Sequence, residues 1–130
     1  MKDMQIMLGD VPGALALVGD TLGNAGINVE GGCALKVEGG FLIHILVEDA
    51  EGARSALKDA GLDVEGEMDA IVQYISGDDR PGTLGRNAHK LAHAGVDVAA
   101  MYLATGSRMV FVTDDNVKAR AALKLQRIEG

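Results

Sequence analysis

Asp10-Val11-Pro12-Gly13 is the stretch that decides the fold of this chain, and it returns 69 residues later as Asp79-Arg80-Pro81-Gly82. The two prolines are the only ones in the sequence. A strand-like run precedes each copy and an amphipathic helix pattern follows it, so each copy marks a strand-to-helix turn. Proline is favoured at a helix start, and we expect the aspartate two positions earlier to cap the helix by accepting a first-turn N–H.

The chemistry of this turn suits a small anion. Glycine after proline leaves the backbone uncovered, so a ligand can approach the free N–H groups of the first helical turn. The same end of a helix carries a partial positive charge, which favours a carboxylate or a phosphate. The sequence therefore predicts two small-molecule-binding corners, one at each copy of the motif.

The motif belongs to a longer internal repeat. Residues 10–29 align with residues 79–98 with eight identities in twenty positions, and residues 53–58 match residues 119–124 at five of six. The offset falls from 69 to 66 between these segments, which indicates that a hairpin lost three residues. The chain is interpreted as a tandem duplication with repeats at residues 1–66 and 67–130.

Each repeat is predicted to have the element order βαββαβ. In the first copy, strands are expected at 4–8, 27–37, 41–47 and 62–66, with a bend or a bulge at Gly31-Gly32. Helix one is expected to stop at Gly26, and helix two to be capped by Asp49 and to stop at Gly61. In the second copy, a helix stop is expected at Gly95, and the predicted strands are 70–76, 96–104, 108–113 and a stub around 126–128. The fold class is α+β: two ferredoxin-like units in tandem, with antiparallel sheets and the helices on one face.

The strands are apolar on both faces, most clearly in residues 41–47. Helices cover only one face of such a sheet, and a unit of this size is marginal alone. We therefore expect the copies to pack on each other and the chain to form a homo-oligomer, at least a dimer.

Composition narrows the function class. The 130 residues carry a formal net charge of −7 and a sequence pI near 4.8, which argues against a nucleic-acid or anionic-membrane surface. No apolar run is long enough to span a membrane, and the N-terminus lacks a signal-peptide core. Cys33 is the only cysteine, so an internal disulfide is impossible and a cytoplasmic location is expected.

The repeated motif and the residues that end the first helix resemble those of a known protein family. Asp-x-Pro-Gly-x-Leu before the first helix, together with Ala25-Gly26-Ile27-Asn28-Val29 at its end, resembles an ACT domain, and both halves of the chain share the pattern. The chain is similar to small stand-alone tandem ACT proteins. The resemblance implies a regulatory module without catalytic activity or cofactor. Such a module binds a free amino acid between paired units and transmits binding to a partner enzyme or an assembly state.

The resemblance also implies which residues bind. It places the ligand carboxylate at the motif loop and the ligand amine at the start of strand two. In the first repeat these positions are Asp10, Val11, Pro12, Gly13, Ala14, Leu15, Asn28, Val29 and Glu30. In the second repeat they are Asp79, Arg80, Pro81, Gly82, Thr83, Leu84, Asp97, Val98 and Ala99. Arg80 stands where the first repeat has Val11, and Ala99 where it has Glu30, so the two corners are not equivalent.

Other readings of these residues stay open. The motif could be a capped turn with no ligand, Asn28 and Asp97 could be simple turn residues, and the chain could be a structural oligomerisation module with vestigial sites. Ferredoxin-like folds also host small acylphosphatase-like hydrolases in which a loop arginine binds phosphate, and Arg80 lies in a suitable loop. Against that reading, neither an activated nucleophile nor an acid–base pair is identifiable.

The remaining reactive side chains favour structural roles. His89 and His93 have the i, i+4 spacing of a zinc site, but helical phase turns them to solvent. His44 is expected to be an interface or satisfied core histidine, and Cys33 a small buried hydrophobe with no base to activate it. The acidic pairs at residues 78–79 and 114–115 are attributed to helix starts and solvation rather than to a weak metal patch.

Overall fold

A computed structural model describes residues 1–125 of the chain and divides it into two compact units, the first ending at Met68 and the second beginning at Asp69. Unit 1 contains β1 (Lys2–Leu8), α1 (Ala14–Asn24), β2 (Gly31–Val37), β3 (Gly40–Val47), α2 (Ala50–Asp59) and β4 (Val64–Asp69). Unit 2 contains β5 (Ile71–Tyr74), α3 (Thr83–His93), β6 (Val98–Ala104), β7 (Arg108–Thr113) and α4 (Asn116–Leu123). The strand predicted around residues 126–128 lies outside the described residues. The repeat boundary predicted after Gly66 stays a prediction.

The strands pair as an antiparallel α+β fold requires. Unit 1 has the strand order β4-β1-β3-β2, with Ile6 opposite Ile43 and Cys33 opposite His44. Unit 2 has the order β6-β7-β5, with Met101 opposite Phe111. The predicted fold class, two ferredoxin-like units in tandem, is confirmed.

The core of unit 1 is apolar throughout and draws on both of its helices. Alternate residues of β1 and β3 supply the floor, because side chains two positions apart share a face of the sheet. The cluster consists of Met4, Ile6, Val18, Leu22, Ile43, Ile45, Val47, Ala53, Leu57 and Leu62. Burial of this set is the main stabilising contribution to the unit.

The core of unit 2 differs from that of unit 1 by a polar pair, the buried Asn87 and the partly buried Gln73. Asn87 occupies on α3 the position that Val18 occupies on α1, and its side chain is 4% exposed. The Asn87 amide donates to Oε1 of Gln73 at 2.9 Å and lies 3.6 Å from Sδ of Met109. All six residues of β7 are buried, as its predicted apolar character on both faces requires.

Three helices end in the same way. Gly26, Gly61 and Gly95 follow α1, α2 and α3 with φ angles of 74°, 79° and 74°. In each case the next residue donates its N–H to a carbonyl five positions earlier, for example Ile27 to Leu22 at 2.9 Å. This is the Schellman arrangement, which satisfies carbonyl groups that the last turn leaves without partners. The predicted helix stops at these glycines are confirmed.

Strand two departs from its prediction. It begins at Gly31 rather than at residue 27, and its register with β3 runs without a shift through Gly31 and Gly32. The bulge predicted at these glycines is therefore wrong for this pairing. Gly32 is needed for another reason: its φ is 151°, and a Cβ atom there would collide with the backbone carbonyl of His44. A register irregularity occurs instead in unit 2, between Val98 and Ala100.

Candidate functional site

The starts of α1 and α3 are built on glycine, not on aspartate. Gly13 and Gly82 are the N-cap residues, with left-handed φ angles of 90° and 96°, and among residues 1–125 no side chain caps either helix. Pro12 accordingly lies in the turn before the helix. Asp10, the predicted cap, instead forms an exposed ion pair with Lys36 at 3.2 Å. The predicted aspartate caps are therefore wrong at both copies of the motif.

The other two helices show what a side-chain cap looks like in this protein. Asp49 caps α2 by accepting the N–H of Gly52 at 2.9 Å, as predicted, and Asp115 caps α4 by accepting the N–H of Lys118 at 3.1 Å. At the motif, by contrast, a left-handed glycine occupies the N-cap position of α1 and of α3. The first-turn N–H groups of α1 and α3 consequently keep donor capacity and partial positive charge.

A shallow depression of about 230 Å³ adjoins the first turn of α1. It is lined by Leu15, Val29, Gly31, Gly32, Cys33, Ala34, Ile43, His44 and Ile45. Strand alternation places the side chains of Cys33 and His44 on the opposite face from Ile43 and Ile45, so these two residues offer mainly backbone to it. Leu15 and Val29 form its exposed rim, with 54% and 40% of their surface accessible. The side chains that face the depression are therefore aliphatic.

The matched region of unit 2 is filled by larger side chains. In unit 1, Gly32 lies opposite Ile45 and Ala34 opposite Ile43. At the corresponding register of unit 2, the core residues Phe111 and Met109 face Met101 and Leu103 instead. Where unit 1 has a hydrogen atom and a methyl group, unit 2 has two long apolar side chains. Met101 packs against the core of unit 2, whereas Leu103 is 61% exposed.

The second corner is closed by its own side chains. The Oδ1 atom of Asp78 forms an ion pair with Nη2 of Arg80 at 3.2 Å and accepts a hydrogen bond from Nη2 of Arg86, also at 3.2 Å. The hydroxyl of Thr83 donates to the carbonyl oxygen of Asp78 and accepts from Nη2 of Arg86 at 3.1 Å. These bonds use the polar groups around the start of α3 within the protein itself.

The corner of unit 1 has no counterpart of this network. The residue before the motif is Gly9, whose Cα faces open space, where unit 2 has Asp78. Ala14 and Leu17 stand at the helical positions of Thr83 and Arg86. The connection before the helix is also shorter, residues 9–13 against residues 75–82. The two corners therefore differ as predicted. The start of α3 is surrounded by side chains that bond to one another, and the start of α1 lacks these side chains.

The residues predicted at the start of strand two are divided between two places. Val29 lines the apolar depression, whereas Asn28 and Glu30 line a polar depression of about 250 Å³ together with Ala25, Gly26, Ile27, Glu48 and Asp49. The Asn28 amide donates to Oε2 of Glu30 at 2.6 Å. In unit 2, the backbone N–H of Asp97 donates to Asp114 at 2.9 Å, and Val98 and Ala99 lie at the irregular start of β6.

Sequence reasoning missed the partner of His44. Nδ1 of His44 lies 2.8 Å from Oδ2 of Asp3, a residue 41 positions earlier whose side chain is 4% exposed. This hydrogen bond raises the pKa of His44, against the opposing effect of its partial burial. The prediction of a satisfied histidine is confirmed. Only strand pairing could have identified Asp3, because β1 and β3 meet through a contact far apart in sequence.

Cys33 lies opposite His44 and is only partly buried, so its prediction as a fully buried residue is wrong. Partial burial, and next the nearby Asp3 carboxylate, raise the pKa of the Cys33 thiol. A raised pKa keeps the thiol protonated, which is the opposite of what a nucleophilic cysteine needs.

The other candidate residues show no catalytic or metal-binding arrangement. His89 and His93 are exposed, with ring centroids 6.0 Å apart. Within the described residues, no three His, Cys, Asp or Glu side chains are grouped to hold a metal ion. The guanidinium of Arg80 is paired with Asp78, which leaves the hydrolase alternative without geometric support. No helix of residues 1–125 is long and apolar enough to cross a membrane.

Two ferredoxin-like units in tandem, each with a glycine at the N-cap of the helix after the repeated motif, have the fold that the ACT resemblance implies. No protein-family model matches the sequence. Nor does any curated protein.

Solved structures share this fold over 95% of the chain. Protein BT0572 from Bacteroides thetaiotaomicron is 25% identical, with a TM-score of 0.77 and 85% of its own chain covered. The regulatory subunits of aspartate kinase from Thermus thermophilus and Thermus flavus are 18% and 20% identical, with TM-scores of 0.72 and 0.65 and 87% of each chain covered. The fold expected from the ACT resemblance is thus the fold of known regulatory subunits.

Proposed function

We propose that this protein is a non-catalytic regulatory module that binds one free amino acid per chain, at the open corner of unit 1. The observation that carries the proposal is the start of α1, which lacks a side-chain cap within residues 1–125 and adjoins an unfilled depression. The start of α3 lacks a cap as well, but its corner is bonded internally by Asp78, Arg80 and Arg86. Position and chemistry therefore favour one site over two.

The site matches the two charges of an amino-acid zwitterion. The ligand carboxylate accepts hydrogen bonds from first-turn N–H groups, as anions do at other helix starts. Oxygen acceptors suited to a ligand amine are available at the start of β2, where Asn28 and Glu30 line the separate polar depression. Because the depression is shallow and its rim is exposed, we propose that a second unit closes over the bound amino acid.

The amino acid can regulate a partner if the second unit closes over unit 1 more often when the amino acid is bound than when the site is empty. The structural neighbours that are regulatory subunits of aspartate kinase support a role of this kind, with a separately encoded metabolic enzyme as partner in the cytoplasm. A ligand that bridges two units stabilises the closed assembly by its own binding free energy. The protein would then report amino-acid concentration through a homo-oligomer or through the partner enzyme.

A thermal-shift screen against the standard amino acids at millimolar concentration tests the proposal. Binding to the folded state alone raises the melting temperature, and titration calorimetry should then give one site per chain. The matched variants are Leu15→Asp and Leu84→Asp, whose parent residues are 54% and 48% exposed. Leu15→Asp places a negative charge beside the ligand carboxylate, so it should weaken binding about tenfold or more, which is roughly 1.4 kcal/mol.

Leu84→Asp should leave the affinity unchanged. The proposal fails if no amino acid raises the melting temperature. The assignment to unit 1 fails if Leu84→Asp weakens binding and Leu15→Asp does not.

A second candidate function, assembly without ligand, is favoured by one specific observation. Both units expose large aliphatic side chains at matched positions, Leu15 with Leu84 and Val29 with Val98. Exposed apolar residues that recur in this way are typical of association surfaces. Light scattering with and without amino acids separates the two functions, because a purely structural module has a molar mass that no small molecule alters.

A further inference from the structure

We infer that the amino acid bound by unit 1 carries an aliphatic side chain, such as that of leucine, isoleucine or valine. This inference rests on the proposed function and specifies the ligand of the same site. The depression beside α1 is the space into which the ligand side chain extends. Its chemistry therefore sets the selectivity.

The side chains facing the depression are all hydrocarbon. Ile43 and Ile45 belong to the apolar core cluster and form the floor, Ala34 forms one wall, and Leu15 and Val29 form the rim. Transfer of an aliphatic group from water into this lining is favourable by about 25 cal/mol for each Å² buried. Leucine should therefore bind more tightly than alanine, which has the same charged groups but a single methyl.

A charged ligand side chain has no partner in this space. The only ionisable residues along the depression are Cys33 and His44, and strand pairing directs both side chains to the other face of the sheet. There Nδ1 of His44 is already bonded to Asp3. A lysine ammonium or an aspartate carboxylate would lose hydration on entering without gaining a hydrogen bond, so binding of these amino acids is disfavoured.

The size of the space agrees with a small ligand. A volume of about 230 Å³ lies below the range of roughly 300–1,000 Å³ typical of pockets for drug-sized molecules. Gly32 and Ala34 are small and leave this space open, whereas the matched positions of unit 2 hold the larger Met101 and Leu103. The variant Ala34→Leu tests the inference, because it places in unit 1 the residue that unit 2 has at the matched position, Leu103.

The experiment compares leucine, valine, alanine, lysine and aspartate by titration calorimetry on the full chain and on two variants. For the parent protein, alanine should bind about tenfold more weakly than leucine, with lysine and aspartate weaker still. Ala34→Leu should weaken leucine binding at least about tenfold, because it fills the depression. The control is Ala92→Leu, the same change at an exposed position of α3 outside the depression.

The melting temperature of Ala34→Leu shows whether the variant folds. If it does not fold, Ala34→Val provides a smaller filling group and the same prediction in weaker form. Tighter binding of lysine or aspartate than of leucine overturns the inference and leaves the proposed function intact. Leucine binding that Ala34→Leu leaves unaltered also overturns it. Absence of binding by every amino acid overturns the inference and the proposed function together.

Discussion

The two units share one chain path but use their helix starts differently. In unit 1, glycine and alanine surround the start of α1 and leave its first turn accessible. In unit 2, Asp78 forms ion pairs with Arg80 and Arg86 at the start of α3. Leu103 occupies the strand position where unit 1 has Ala34. The same backbone motif is therefore an accessible helix start in unit 1 and an internally bonded turn in unit 2. The neighbouring side chains decide which.

The largest expected effect comes from exchanging the matched residues of strand two. Gly32→Met should destabilise the protein by on the order of 3 kcal/mol, because its φ of 151° and the nearby carbonyl of His44 leave no room for a side chain. Met101→Gly in unit 2 should cost only about 1 kcal/mol through lost packing and backbone entropy. Urea unfolding followed by circular dichroism measures both. Equal costs would mean that the two strands are equivalent after all.

The second effect concerns the polar pair of Asn87 and Gln73. Asn87→Val introduces the residue of unit 1 and leaves the Gln73 amide without the acceptor and donor of Asn87. We expect a loss of about 1–3 kcal/mol in the free energy of unfolding, the usual cost of an unpaired buried polar group. Adding Gln73→Ile should restore much of this stability, since replacing both partners by apolar groups is often nearly neutral. A double variant no more stable than the single one contradicts this account.

The third effect is a pH dependence carried by unit 1 alone. Asp3 on β1 and Cys33 on β2 are the titratable groups facing His44, and the matched position in unit 2 is Val110. Because the Asp3 hydrogen bond raises the pKa of His44, protonation stabilises the fold. This contribution, on the order of 1 kcal/mol, is complete below the unfolded pKa of about 6.5. It is lost as pH rises through the folded pKa.

The free energy of unfolding should therefore decline between about pH 5.5 and about pH 8.5, on either side of the ordinary histidine pKa of about 6.5. The His44→Gln variant should lack this decline, and chemical unfolding at a series of pH values measures it. The raised pKa of Cys33 places its ionisation above this window. A His44→Gln variant that retains the full decline would assign the effect to other groups.

The smallest effect is expected at the closed corner. Asp78→Ala removes both arginine contacts, yet the side chains of Asp78 and Arg80 are 48% and 63% exposed. Exposed ion pairs contribute about 0–1 kcal/mol, so the melting temperature should barely move and should become less sensitive to salt. Amino-acid binding should stay at one site per chain, because the larger Met101 and Leu103 remain at the matched strand positions of unit 2. A second binding event in this variant would show that Asp78 alone closes unit 2.

The sequence predicts the local parts of this structure well. The helix stops at Gly26, Gly61 and Gly95 follow from the residues themselves, since a left-handed position after a helix strongly favours glycine. Asp49 acts as the predicted cap because its short carboxylate side chain reaches a first-turn N–H, that of Gly52. Strand β7 also falls where predicted, at Arg108–Thr113.

The parts that depend on strand register or on contacts distant in sequence could not be predicted. Pro12-Gly13 forms a turn in which Gly13 is left-handed, which Pro-Gly favours. The ion pair of Asp10 with Lys36, found in place of the predicted cap, depends on where β2 lies beside the motif. The depression exists because Ala34 meets Ile43 across two strands. Residue periodicity identified both strands, but it did not fix their pairing or the start of β2.

The glycine that ends each of the first three helices carries a consequence for how such a protein changes over time. Both units keep the same helix exit, whereas the residues around their helix starts have diverged from Gly9 and Val11 to Asp78 and Arg80. The Asp, Pro, Gly and Leu of the motif are identical in both units, so the variation at the helix starts is confined to the positions before and between them. A designer seeking new ligands could randomise those positions, keep the motif and the three glycines that end the helices, and expect most of the library to fold.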